Sequence, residues 1–190
     1  MRSNLIKTMQ SALFIGRFQP FHNGHLDAIK RILEENERVV IVIGSAEKNY
    51  LPSNPFTAGE RFQMIDESLK EAKIPAERYA IIPVRNVNNY ALWVNHINIY
   101  VPPYTRVYTG SELVKACYEG KYFRPHEQKR IGTEIIQLKK KVTVCATDTR
   151  KAMIKEKGWE KLVPKAVANL INKWDGVKRL QTIKDTVDVT

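Results

Sequence analysis

Five consecutive residues, Val39-Val40-Ile41-Val42-Ile43, are all apolar and all β-branched. Such side chains are stiff at χ1 and suit a pleated surface. A strand without a polar face is stable only where both faces of its sheet are covered, as in parallel sheets layered with helices. Gly44-Ser45 closes the run, which is far too short to span a bilayer. A second apolar run, Ala12-Leu13-Phe14-Ile15, stops at Gly16. Between the two, Leu26, Ile29, Ile32 and Leu33 recur at helical spacing, so a helix is expected from about Gly24. The segment reads as strand–loop–helix–strand, with an unusual loop at the carboxyl end of the first strand.

The alternation continues. Thr57-Ala58-Gly59-Glu60 has the form of a capping box, followed by Phe62, Ile65 and Leu69 as the apolar stripe of a helix. Residues 80–84 read as a third strand, 91–100 as a short helix ended by Pro102-Pro103, and 106–110 as a fourth strand. Ser111 is placed to cap the next helix. Residues 134–138 and 141–145 are the last strand candidates, and helices are expected from near Thr147 and over 164–174. The fold class is α/β: a Rossmann-like, doubly wound parallel sheet with C-terminal helices. Residues 1–12 form an N-terminal extension, 13–183 one domain, and 184–190 a tail without apolar pattern that is expected to fray.

The net charge of +11 is unevenly spread. Residues 1–120 carry 14 Lys+Arg against 12 Asp+Glu, and residues 121–190 carry 17 against 8, so the excess is +2 and +9 respectively. Such a C-terminal excess suits nucleic acid, small polyanions or simple solubility. Its densest part, Lys139-Lys140-Lys141, reads as a solvated strand end or turn. Two cysteines, Cys117 and Cys145, make neither a disulfide framework nor a zinc set, and residues 1–10 lack an apolar secretion segment. A cytoplasmic protein without membrane contact is expected.

Two clusters carry chemistry, and ligands of an open α/β sheet bind where both fall, outside the carboxyl ends of the strands. In His22-Asn23-Gly24-His25 the histidines are three apart at a helix start, so both imidazoles can face one spot. That spot lies at the positive end of the helix dipole, where unpaired N–H groups attract phosphate. Gly24, and Gly16 at the strand end, leave room for close approach, and Arg17 adds a cation. The set suits polyphosphate; zinc would require further ligands that no Cys/His spacing supplies. The bland reading is a pair of loop histidines bonded to backbone, which the placement after a buried strand disfavours. In Thr147-Asp148-Thr149-Arg150, Thr147 can cap a helix while Arg150 projects from the same end, again where an anion would lie.

The stretch Gly16-Arg17-Phe18-Gln19-Pro20-Phe21-His22-Asn23-Gly24-His25 resembles the signature of the HxGH nucleotidylyltransferases, whose usual partner motif is a helix start ending in Arg, as at Thr147–Arg150. Ile43-Gly44-Ser45-Ala46, the segment from Asn54 through Arg61, Ala91-Leu92-Trp93-Val94, and Trp159 with Leu162-Val163-Pro164 narrow the likeness to archaeal-type nicotinamide-nucleotide adenylyltransferases, over almost all of the chain from about Leu13 to Leu180. A decoy, Gly132-Thr133-Glu134, lacks the Arg three residues after its Thr, where Ile136 stands.

The resemblance implies transfer of the adenylyl group of ATP to nicotinamide mononucleotide (NMN), giving NAD and pyrophosphate, with Mg²⁺ carried by ATP and no protein metal ligand named. It implies that His22, His25 and Arg150 are catalytic. Gly16, Arg17, Phe18, Gly24 and Thr147 join them in binding ATP, and Trp93, Asn86 and Phe56 bind NMN. Read without the resemblance, Trp93 is better taken as a core residue of a short helix; the resemblance reverses that reading. A homo-oligomer, commonly a hexamer, is also implied. The chain departs from the family at Cys145 (usually Ser), Asn86 (Asp in many relatives), Ser111 (usually Asn) and Ser53, a position often basic, for which Lys48 is the candidate substitute. Two other functions stay open at this level: a related enzyme with another phosphate acceptor, and a basic nucleic-acid-binding module.

Overall fold

The computed structural model describes residues 11–120, 133–138 and 143–186. The expected solvated run at Lys139-Lys140-Lys141 and the end of the tail lie outside them. Five strands pair in parallel in the order β3-β2-β1-β4-β5. They are β1 (Ser11–Gly16), β2 (Arg38–Ile43), β3 (Tyr79–Pro83), β4 (Arg106–Thr109) and β5 (Glu134–Gln137). The helices are α1 (Asn23–Glu35), α2 (Ala58–Glu71), α3 (Tyr90–Tyr100), α4 (Glu112–Tyr118), α5 (Ala146–Ile154), α6 (Lys165–Lys173) and α7 (Gly176–Ile183). The α/β class expected from the all-apolar second strand is the class observed.

Successive residues of a strand face opposite sides, and the two central strands divide accordingly. Phe14, Val39, Ile41 and Ile43 pack with Ile29 and Ile32 of α1, Met64 and Leu69 of α2, and the C-terminal helices. Leu13, Val40 and Val42 pack on the other face with Val94 and Ile97 of α3 and with Cys117 and Tyr118 of α4. The chain runs from β1 outward through β2 to β3, then returns to place β4 on the other side of β1. That reversal opens a crevice at the carboxyl ends of β1 and β4, the general ligand position in such sheets.

Several boundaries differ from expectation. β1 begins at Ser11, and Ala12 pairs with both Val39 and Arg106, so these two residues belong to the sheet instead of an extension. Residues 143–145, expected at the end of a strand, carry no regular structure; residues 141 and 142 lie outside the described ones. Phe62, expected on the buried stripe of α2, is 39% exposed, while its neighbour Arg61 is fully buried. A short 3₁₀ turn at Trp159–Leu162 and the whole of α7 follow where no element was expected.

Candidate active site

The loop after β1 is built around Phe18. Its φ of +53° lies in the left-handed region that a bulky residue adopts only under constraint. The ring is thereby laid over Gly16, where any Cβ would sit 2.8 Å from its edge. Gly16 is thus glycine to receive Phe18, and it also lines the cavities of the site. Gln19 then clips the loop to the Asn54-Pro55-Phe56 segment, its amide donating to the Phe56 carbonyl at 2.8 Å and accepting the Phe56 N–H at 2.9 Å.

His22 caps α1 and His25 lies in its first turn. Their rings stack with centroids 3.5 Å apart and planes 20° from parallel. His25 is enclosed by aromatic rings, Phe18 edge-on at 4.8 Å and Phe21 stacked at 5.5 Å. Burial pushes the His25 pKa well below its ordinary value, and charge on His22 would push it the same way. The His22 backbone N–H donates to His25 Nδ1 at 3.2 Å. Neutral His25 therefore carries its proton on Nε2, which makes that nitrogen a donor.

The second cluster arrives from the opposite wall. Cys145, not Thr147, is the cap of α5: its Sγ accepts the Asp148 N–H at 3.4 Å, and its thiol donates to Asp148 Oδ2 at 3.0 Å. Arg150 donates to the Gln19 carbonyl at 2.8 Å and reaches Thr147 Oγ1 at 3.5 Å, so a residue 131 positions away holds it on the histidine loop. A Cβ on Gly24 would lie 3.2 Å from the His22 ring and 3.4 Å from the Val144 carbonyl. Two helix N-termini thus meet across Gly24. A cavity of about 410 Å³ opens between them, lined by His22, Gly24, His25, Thr147 and Arg150, with Arg17 and Phe18 on its rim. Converging N–H groups, imidazole donors and guanidinium are the chemistry of a polyphosphate site.

A second cavity of about 610 Å³ adjoins it, sharing Gly16, Arg17 and Ser111. Trp93 and Asn86 line it, with Lys48 and Ser53. The Trp93 ring meets Tyr118 edge-on at 6.3 Å, which leaves it half-buried with one side toward the space. Phe56 lies apart from the two cavities. It is fully buried beneath the Arg179 guanidinium, 5.8 Å from the ring centre, and its ring lines neither cavity. Its place in the Asn-Pro-Phe segment brings it near the site in sequence, but its side chain belongs to the core.

Arg61 was not singled out in the sequence, and it holds the two cavities in register. Its guanidinium donates to the carbonyls of Arg17 at 3.0 Å, Gly44 at 2.9 Å, Ser45 at 3.2 Å and Ala46 at 3.3 Å. Burial pushes its pKa down to about 10, which still leaves it charged at neutral pH. The loop after β1 and the loop after β2 are therefore tied to one cation. Among the described residues, no three His, Cys, Asp or Glu side chains gather as a metal site.

The cytidylyltransferase-like family model matches residues 13–166. A nicotinamide-nucleotide adenylyltransferase of Caldivirga maquilingensis is 42% identical over 178 residues, covering 92% of this chain and 94% of its own. The enzyme of that name from Picrophilus torridus is 40% identical over 177 residues, covering 92% and 98%. Among solved structures, a bifunctional NMN adenylyltransferase/ADP ribose pyrophosphatase from Francisella tularensis, complexed with AMP and manganese, superposes with a TM-score of 0.70 at 22% identity. It matches 93% of this chain, which spans about half (52%) of that protein's length, so the likeness concerns the fold.

Proposed function

The chain belongs to the nicotinamide-nucleotide adenylyltransferases within the cytidylyltransferase-like family, and from that premise we propose that it transfers the adenylyl group of ATP to NMN, releasing NAD and pyrophosphate. The observation that carries this reading is the junction of the two cavities at Gly16 and Arg17, which gives a triphosphate and a mononucleotide adjacent places. The mononucleotide phosphate is already ionised, so its oxygen attacks the α-phosphorus in line without a general base. Catalysis is then positioning together with neutralisation of charge in the transition state.

In this reading the Nε2–H of His25 donates to the α-phosphate, with His22 beside it. Arg17, Arg150, Thr147 and the N–H groups of both helix starts hold the β- and γ-phosphates. Trp93 stacks on the pyridinium ring and Asn86 lies beside it. A divalent cation, Mg²⁺ in the first instance, enters as counter-ion of ATP and screens the polyphosphate. The homo-oligomer implied by the family belongs to the same proposal. Exposed apolar side chains of α3 and α4 support it: Leu92, Ile99 (79% exposed), Tyr100 and Leu113. A cytoplasmic site of action is proposed with it, and no described helix is long and apolar enough to cross a membrane. The test is direct: purified protein with ATP, Mg²⁺ and NMN should yield NAD and pyrophosphate in equal amounts. Absence of NAD under conditions that preserve the fold would overturn the reading.

A further inference from the structure

Two connections wall the acceptor cavity. The one after β3 brings Arg85 and Asn86 ahead of Trp93, and the one after β2 brings Gly44, Ser45, Lys48, Ser53 and Asn54. Arg61 holds the first part of the second connection, through carbonyls from Gly44 at 2.9 Å to Lys48 at 3.5 Å. The next part folds into a tight hairpin. The Leu51 N–H donates to the Asn54 carbonyl at 3.3 Å, and the Asn54 N–H donates to the Leu51 carbonyl at 3.0 Å. The hairpin puts Ser53 and Asn54 in the cavity wall, where the Asn54 amide donates to Ser53 Oγ at 2.7 Å.

The residues flanking this hairpin, Tyr50 and Pro55, are both held by one guanidinium from α7. Arg179 faces the Tyr50 ring, 4.7 Å from its centre, and donates to the Pro55 carbonyl at 3.3 Å. The same guanidinium donates to both carboxylate oxygens of Glu60 at 2.8 Å, with both side chains largely buried. A bidentate pair fixes the guanidinium plane, and Leu180, buried in the core, fixes the helix that carries it. Tyr50 has a φ of +53°, a left-handed conformation that a bulky residue keeps only where its surroundings impose it. A cation against its ring is such a surrounding. Arg179, Tyr50 and Glu60 line neither cavity.

We propose that Arg179 is a positioning residue for the acceptor mononucleotide: by holding both ends of the 51–54 hairpin, it sets the wall that Ser53 and Asn54 present to that substrate. The proposal rests on the adenylyl-transfer reading above. His22, His25, Thr147 and Arg150, which line the other cavity, are carried by α1, its cap and α5. Loosening the hairpin therefore acts on one substrate and not on the other. A support of this kind, outside the site, changes affinity by a few-fold to about thirtyfold.

Steady-state kinetics and calorimetric titration of NMN and of ATP, with the full chain, test it. Arg179→Lys keeps a charge beside Glu60 but cannot bond both its oxygens and Pro55 together. Its KM and Kd for NMN should rise about five- to thirtyfold, while kcat and the KM for ATP stay within about twofold. Tyr50→Ala, at a position 52% exposed and so of little weight for the core, should raise the NMN values about threefold. Tyr50→Phe, which keeps the ring, should restore them. Unchanged NMN affinity in both Arg179→Lys and Tyr50→Ala would overturn the proposal, and so would an equal rise for ATP, the mark of a general loss of packing. Wild-type protein that binds NMN but forms no NAD would overturn the adenylyl-transfer reading, while the titrations would still decide the role of Arg179. Wild-type protein that binds no NMN would overturn both.

Discussion

His22 and His25 stack ring on ring at 3.5 Å, and the backbone N–H of the first fixes the tautomer of the second. Two imidazoles at this separation cannot both be protonated without repulsion, and the aromatic rings around His25 already disfavour its charged form. His25 is therefore built to be neutral when the site is empty and to present its Nε2–H to an anion.

That arrangement sets a pH dependence. The His25 pKa in the fold is depressed below 6.5, its ordinary value, while the unfolded chain titrates normally. Between the depressed value and 6.5 the unfolded state binds more protons. The stability contributed by neutral His25 is complete above about pH 6.5 and declines as pH falls through that value, by at most about 1.4 kcal/mol per pH unit. Urea unfolding of the ligand-free protein from pH 5 to pH 8 should show this slope, and His25→Ala should flatten it. An identical slope in the variant would place its origin elsewhere.

His25→Ala should also cut turnover by at least about 10²-fold, the scale of removing one preorganised donor from developing charge. Because the ring is packed against Phe18 and Phe21, the variant should lose about 1–3 kcal/mol of stability as well. Turnover is to be compared at a temperature where circular dichroism reports both proteins folded. Near wild-type turnover there would dismiss His25 from the mechanism.

Arg150 and Thr133 separate the anion-binding motif from its decoy. Arg150 is anchored on the Gln19 carbonyl at the phosphate cavity, whereas Thr133 immediately precedes β5, an edge strand, and lines neither cavity. Arg150→Ala should raise the KM for ATP and lower kcat, together about 10²-fold or more in kcat/KM; Thr133→Ala should stay within about twofold. Steady-state kinetics in ATP decides it, and the reverse order would show that the motif had been placed on the wrong helix.

What could be read from the chain divides along a physical line. The all-apolar Val39–Ile43 run and the paired histidines are local signals: the first lies in a parallel strand with both faces covered, and the two imidazoles of the second stack together. Arg61 has no local signal. It ends the Asn54–Arg61 segment without a role assigned to it there, and its burial becomes intelligible only when two loops turn their carbonyls toward it. Phe56 shows the opposite case: its sequence neighbourhood belongs to the site, while Gln19 binds its backbone and the core takes its ring. Cys145 as the cap of α5 likewise required knowing that the preceding residues leave the sheet.

Arg61 supplies the next prediction. Arg61→Met removes a donor to the carbonyls of Arg17, which lines both cavities, of Gly44 and Ser45, which line the second, and of Ala46, and hydrogen bonds to a charged group contribute about 1.5–3 kcal/mol each before their non-additivity. The variant should be destabilised by several kcal/mol. Arg61→Lys, which keeps the charge but cannot span the carbonyls, should fold and show raised KM for ATP and the mononucleotide together. A rise for one substrate alone would mean that Arg61 supports one loop and not both.

Trp93 tests the identity of the acceptor. Its ring lines the second cavity and is braced by Tyr118 at 6.3 Å. A pyridinium over an indole face gains about 0.5–2 kcal/mol. Trp93→Ala should therefore weaken mononucleotide binding by a few-fold to about thirtyfold, and Trp93→Phe should recover part of the loss because a smaller aromatic face remains. ATP binding, in the cavity that Trp93 does not line, should change little. Calorimetric titration of each nucleotide into the three proteins separates these outcomes. A folded Trp93→Ala protein with normal mononucleotide affinity would end the stacking role. An unfolded one would show that the packing of Trp93 against Tyr118 is its main office, and the acceptor would then have to be read from Arg17, Lys48 and Arg85 instead.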